Sequence, residues 1–153
     1  MSRDTHVKIE IREQLEGDVY VETPWAVPLG DNLYRLDNIP FYAYRLSWGD
    51  ILEAEPREHD MPLYLRVVEK SGHRTMRVIL DPPSDQSEES QSVLDTLRKL
   101  GCTFEGVNHV YIAVDIPPDV DLQAVVEYLM TLEHDWEHAD PKHEDLYAEE
   151  GEG

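Results

Sequence analysis

The spacing of apolar residues first turns from strand-like alternation to a helical period at Asp81-Pro82-Pro83, and that change limits the fold more than any other feature. Before it, apolar and polar residues alternate. Val7, Ile9 and Ile11 against Lys8, Glu10 and Arg12 show the period-2 pattern of a half-buried strand. Glu16-Gly17-Asp18 predicts a turn, and with the run at 19–23 a hairpin. Pro24 and Pro28 flank Trp25-Ala26-Val27 and predict an edge strand or a bend, because proline cannot donate to a ladder. Gly30-Asp31-Asn32 reads as a turn, followed by strands at 33–36, 51–54, 63–69 and 75–80, with a polar loop at 56–60. Ser71-Gly72 predicts a second hairpin between the last two of these strands. Eight of the 13 aromatic residues lie between Tyr20 and Tyr64, which suits the filling of a small barrel.

After the two prolines the period becomes helical. Val93, Leu94, Leu97 and Leu100 share one helix face, Ser84 or Ser87 can cap it, and Gly101 suits the position just past its end. Residues 103–105 and 110–114 read as strands about a turn at Gly106-Val107-Asn108. Pro117-Pro118 precedes a second helix capped by Asp119 or Asp121, with Leu122, Val125, Val126, Leu129 and Met130 on its apolar stripe, and Trp136 marks a closing strand. The fold class is therefore α+β. Residues 1–70 form a small antiparallel sheet or partial barrel, and residues 71–140 a ferredoxin-like half with the order β-α-β-β-α-β. Residues 141–153, acidic and poor in apolar side chains, are expected to form a disordered tail.

Charge narrows the choice of partner. The chain carries 33 acidic and 13 basic residues, a formal net of −20. From Gly101 onward the only Lys or Arg is Lys142. Such a field repels nucleic-acid phosphates and anionic lipid and attracts basic proteins, so neither nucleic acid nor membrane is an expected partner. The single cysteine, Cys102, cannot form an internal disulfide, and the N-terminus has no apolar leader run, so a reducing cytoplasm is the expected location.

Several segments resemble a known family. They are Pro24-Trp25-Ala26-Val27-Pro28-Leu29-Gly30, Arg35-Leu36-Asp37-Asn38-Ile39-Pro40-Phe41, Tyr44-Arg45-Leu46-Ser47-Trp48-Gly49-Asp50, the run from Val67 to Arg77, and Ala113-Val114-Asp115-Ile116-Pro117-Pro118. Together they resemble the uncharacterised bacterial family catalogued as domain of unknown function 4265, over roughly residues 7–139. Asn38-Ile39-Pro40-Phe41 and Ser71-Gly72-His73-Arg74 carry most of the likeness. The resemblance implies a bacterial protein of mixed α and β structure and brings no catalytic residues with it.

The spacings that announce enzymes are missing: no phosphate-binding glycine loop, no His-Glu-x-x-His, no Cys-x-x-Cys and no Gly-x-Ser-x-Gly. No catalytic residue and no cofactor is assigned. Ser71-Gly72-His73-Arg74 is the best candidate for chemistry, with His73 presented at a hairpin tip and Arg74 and Arg77 beside it as an anion or ligand site; a locally packed histidine at a glycine turn is the simpler alternative. His134 and His138, with His143 beyond, have ligand chemistry. On a strand, however, residues four apart are separated by about 13 Å, so no metal site is assigned. Cys102 reads as a buried thiol, and Asp115, Asp119 and Asp121 as a solvated face with helix-capping charge.

Small size, absent catalytic motifs and an anionic surface predict a protein-binding module. Its most concrete form is an immunity protein or antitoxin that blocks a basic toxin, with Glu127, Glu133, Asp135, Glu137 and Asp140 as contacts. The alternatives are a regulatory or scaffold module, or a small-molecule binder with its site near Ser71–Arg77.

Overall fold

The computed structural model describes residues 5–146. Among the described residues eleven strands and two α-helices, with a further helical turn at 143–146, fall into two layered halves. The first contains β1 (Val7–Lys8), β2 (Ile11–Leu15), β3 (Asp18–Glu22), β4 (Trp25–Gly30), β5 (Leu33–Leu36), β6 (Ile51–Arg57) and β7 (Asp60–Glu69). The second contains β8 (Arg74–Ile79), α1 (Glu88–Lys99), β9 (Thr103–Gly106), β10 (Tyr111–Ile116), α2 (Leu122–Met130) and β11 (Asp135–Asp140).

In the first half a five-stranded antiparallel sheet runs in the order β1-β4-β5-β6-β7. Tight turns with left-handed residues set its hairpins, at Asp31-Asn32 (φ 57° and 64°) and at His59 (φ 63°). The β6–β7 ladder slips register three times, and each bulge adds bend and twist. The sheet curls until its edges meet: the Ile9 amide donates to Pro24 O (3.1 Å), while Glu10 exchanges hydrogen bonds with Pro62 O and the Tyr64 amide (both 2.9 Å). Ile9, Ile11, Ala26, Leu36, Ala43, Leu46 and Leu52 fill the interior. Strands β2 and β3 form a separate ribbon closed by Glu16-Gly17, both with positive φ. The strand predicted across Val7, Ile9 and Ile11 is thus divided, β1 serving the curled sheet and β2 the ribbon.

Two expectations are corrected here. Trp25–Gly30 is an interior strand, not an edge. Pro28 is tolerated because β1 pairs only with Trp25 and Ala26, so among the described residues no ladder bond on that side calls for the proline's missing amide. The hairpin predicted about Ser71-Gly72 does not form, because β7 and β8 lie in different sheets. Both edges of β8 are occupied, by β11 and β10, and Ser71 is tied back to the first half. Its amide donates to Asp50 Oδ1 (2.8 Å) and its hydroxyl to Trp48 O (2.7 Å).

The second half has the order β-α-β-β-α-β and an antiparallel sheet ordered β11-β8-β10-β9. Ser87 caps α1 and Asp121 caps α2, each accepting a hydrogen bond from an amide of the first turn. Met76, Val78, Leu80, Ile112, Val114 and Ile116 face the helices and meet Val93, Leu94, Leu97, Val125, Val126 and Leu129 in a second core. By strand alternation Thr75, Arg77, Ala113 and Asp115 point the other way, toward the first half. The face this sheet turns toward the first half is therefore largely polar. The tail expected from Pro141 begins with a helical turn at 143–146, whose Glu144 and Asp145 pair with Arg45; residues 147–153 lie outside the described residues.

Candidate functional site

Three buried or half-buried arrangements of side chains hold the seam between the halves, and a cleft opens at one end of it. The first is built on Arg77, the largest fully buried side chain. Its guanidinium donates to the carbonyls of Pro40 (3.3 Å), Tyr42 (3.2 Å) and Ala43, and packs under the Tyr44 ring. In the second, Lys70 bridges two buried carboxylates, Asp50 and Asp140, at 2.6 Å each. Ser47 donates to the same Asp140 and contacts Thr75 Oγ1 at 2.8 Å. In the third, Tyr44 donates to Glu137 (2.8 Å); burial first and then that carboxylate push its phenol up to about 12.

These arrangements decide the fate of two predicted sites. Arg74 and Arg77 do not join His73 in an anion site. They are three residues apart on a strand and so lie on opposite faces, and Arg74 is fully engaged with Pro117 O (2.6 Å) and Val120 O (2.5 Å). Nor do the five predicted carboxylate contacts form one surface. Asp140 is buried and ion-paired to Lys70. Trp136 packs with the helices, so Asp135 and Glu137 project from the opposite face of the sheet, away from exposed Glu127 on α2. Glu133 is exposed in the connection between α2 and β11.

His73 does reach a cleft, although not at a hairpin tip. It follows the crossing from β7 to β8, and its Nδ1 lies 2.9 and 3.0 Å from the two oxygens of Asp115 on β10. A carboxylate only accepts, so Nδ1 carries the proton, and Nε2, at the other end of the ring, accepts when the imidazole is neutral. Asp115 is not the solvated acid predicted from its neighbours: burial raises its pKa, against the lowering effect of His73. The edge of His73 meets the Trp48 ring at 4.9 Å. Trp48 is itself fixed by Nε1–H donating to Asp37 Oδ1 (3.0 Å), and His6 Nε2 lies 2.6 Å from Asp37 Oδ2. The resulting cleft encloses about 400 Å³ and is also lined by Asn38, Phe104 and Glu105. A second cleft, of about 530 Å³, lies beside Tyr44, Glu137 and His143.

The histidines predicted not to share a metal do other things. His134 Nδ1 accepts from the Asp81 amide (3.1 Å) and its Nε2 lies 2.9 Å from Glu89 in the first turn of α1, while His138 packs between Trp136 and His143. No group of three or more metal-ligating side chains converges among the described residues. No helix among them is long and apolar enough to cross a membrane.

The profile of a family described as a domain of unknown function, DUF4265, matches residues 22–138. The chain belongs to that family. Within this DUF4265 chain the two segments on which the resemblance rests, around Asn38 and around His73, face one another across the cleft of Trp48. A crystal structure of a hypothetical protein from Neisseria gonorrhoeae superposes with a TM-score of 0.72 at 17% identity, over 88% of this chain and 94% of that one, and shows that the fold is shared. No curated protein matches the chain.

Proposed function

We propose that this DUF4265 protein is an acidic binding module for a basic protein, in its most concrete form an immunity protein or antitoxin acting in the cytoplasm. One observation carries the reading: the fold engages most of its own cations and, apart from buried Asp50, Asp115 and Asp140, leaves most of its carboxylates outward. Arg12, Arg45, Arg57, Arg66, Lys70, Arg98 and Lys142 are ion-paired, and Arg74 and Arg77 are engaged with backbone carbonyls. Among the described Lys and Arg this leaves Lys8, stacked over Trp25, Arg35 and Lys99. Glu127, Glu133 and Asp135 are exposed, and among the described residues no cation is ion-paired to them. The field of the −20 chain is thus external, and its steering acts on a positively charged partner. The second half, on this reading, is a ferredoxin-like unit; its β-α-β-β-α-β order and antiparallel β11-β8-β10-β9 sheet support that assignment.

The test is affinity capture from the source organism at low ionic strength, followed by co-expression with the protein recovered. A basic partner whose toxicity this chain relieves is the expected result. Recovery of an acidic partner with an interface indifferent to salt would remove the reading. A small-molecule site near His73 is the second reading, favoured by the cleft itself.

A further inference from the structure

We infer that the Trp48–His73 cleft is a receptacle for a guanidinium or ammonium group, and that its occupant is an arginine or lysine side chain of the basic partner. The inference deepens the reading of an acidic module and rests on it. The polar lining is almost wholly composed of acceptors. His73 donates Nδ1–H to Asp115 and, as the neutral imidazole, offers Nε2; Thr103, with Oγ1 3.4 Å from Asp115, donates there too; Trp48 donates its indole N–H to Asp37. Asp37, whose two oxygens already meet Trp48 Nε1 and His6 Nε2, and Glu105 add carboxylates, and among the described residues no Lys or Arg lines the cleft. Asn38, turned so that Oδ1 accepts from the Trp25 amide, retains its NH2 as the exception. A cavity of acceptors with no unengaged charged donor suits a ligand made of donors.

The aromatic walls point the same way. Trp48 is 40% exposed, although it is held in place by the Asp37 hydrogen bond, by the edge of His73, and by its carbonyl accepting from Ser71. An exposed but fixed indole beside carboxylates is a cation–π platform, and the electrostatics of the ring and of the acids reinforce one another there. Arginine is the better fit of the two side chains, because its planar group stacks on indole while its fork reaches a carboxylate. The roughly 400 Å³ of space admits such a side chain together with its immediate neighbours.

The experiment is an NMR titration of the full chain with Nα-acetyl-arginine amide, its neutral isostere Nα-acetyl-citrulline amide, and a hexa-arginine peptide, read at the indole N–H of Trp48 and the ring of His73. The arginine amide is expected to bind in the millimolar range with shifts confined to the cleft, the citrulline compound not to bind, and hexa-arginine to bind more tightly through the same residues. Trp48→Leu, which keeps an apolar side chain, and Asp37→Asn, which keeps the shape, each weaken both cationic probes about fivefold or more. If hexa-arginine binds in a salt-dependent way that neither variant alters, the receptacle is wrong and the acidic-module reading survives. If the amide occupies the cleft but hexa-arginine gains nothing over it, the site serves a small free cation and the protein-partner reading falls. Equal binding of arginine and citrulline amides ends the cation assignment.

Discussion

Arg77 illustrates how a charged side chain can act as a structural post. Its carbonyl partners all belong to the segment at 40–43, which has no regular structure of its own and lies against the face of β8 turned toward the first half. Hydrogen bonds from a charged donor are worth roughly 1.5–3 kcal/mol each, and removing the donor leaves buried carbonyls unsatisfied. Arg77→Ala is therefore expected to lower the unfolding free energy by about 3 kcal/mol or more, measured by urea denaturation; a loss below about 1 kcal/mol would show that the segment is held by other means. Asp115 gives a prediction of opposite sign. Its folded pKa lies above the ordinary value of 3.8 because of burial, so the folded state binds the extra proton. Its contribution is fully favourable below the unfolded pKa and is lost as pH rises through the folded one. Asp115→Asn retains an acceptor for His73 and removes the ionisation. Its urea midpoint at pH 7 should match or exceed that of the parent, with a flatter profile on the acid side; a clear loss at pH 7 would contradict this account of the pair.

At the level of elements, the helices were the most legible part of the chain. A 3.6-residue apolar stripe, a capping Ser87 or Asp121 and Gly101 after α1 are local signals that tertiary packing did not override. Gly101 has φ +103°, and a Cβ there would sit 2.8 Å from Val120 Cγ2. Gly101→Ala is accordingly expected to cost about 1–3 kcal/mol, seen as a lower thermal midpoint, and an unchanged midpoint would show that the connection to β9 can relax. Strand identity was legible too, but pairing was not. Ser71-Gly72 looks like a hairpin turn, and only long-range ties from Asp50 and Trp48 reveal a crossing between sheets. The site divides in the same way. His73 stands out beside its glycine, whereas Asp115, 42 residues away, and Trp48 and Asp37 reach it only through the fold. The parity of Arg74 and Arg77 was a signal present in the sequence that separates them once β8 is read as a strand.

At the scale of the whole molecule, two apolar cores are joined across a polar seam, with the cleft at the place where the seam opens. Charge is arranged by the same logic. Internal ion pairs and carbonyl contacts hold most of the cations in the structure, and the remaining carboxylates shape the field beyond it. The outward acids lie on more than one face; in the proposed function they set the rate and range of a basic partner's approach, while the cleft would supply a place for one of its side chains to anchor. The direct measurement is the association rate of the captured partner between about 50 and 500 mM salt, a range in which screening shortens from beyond 10 Å to a few ångströms. Steering by this surface predicts a fall of tenfold or more with little change in the dissociation rate. An association rate that stays constant across that range would contradict the claim that the external carboxylates guide the partner in.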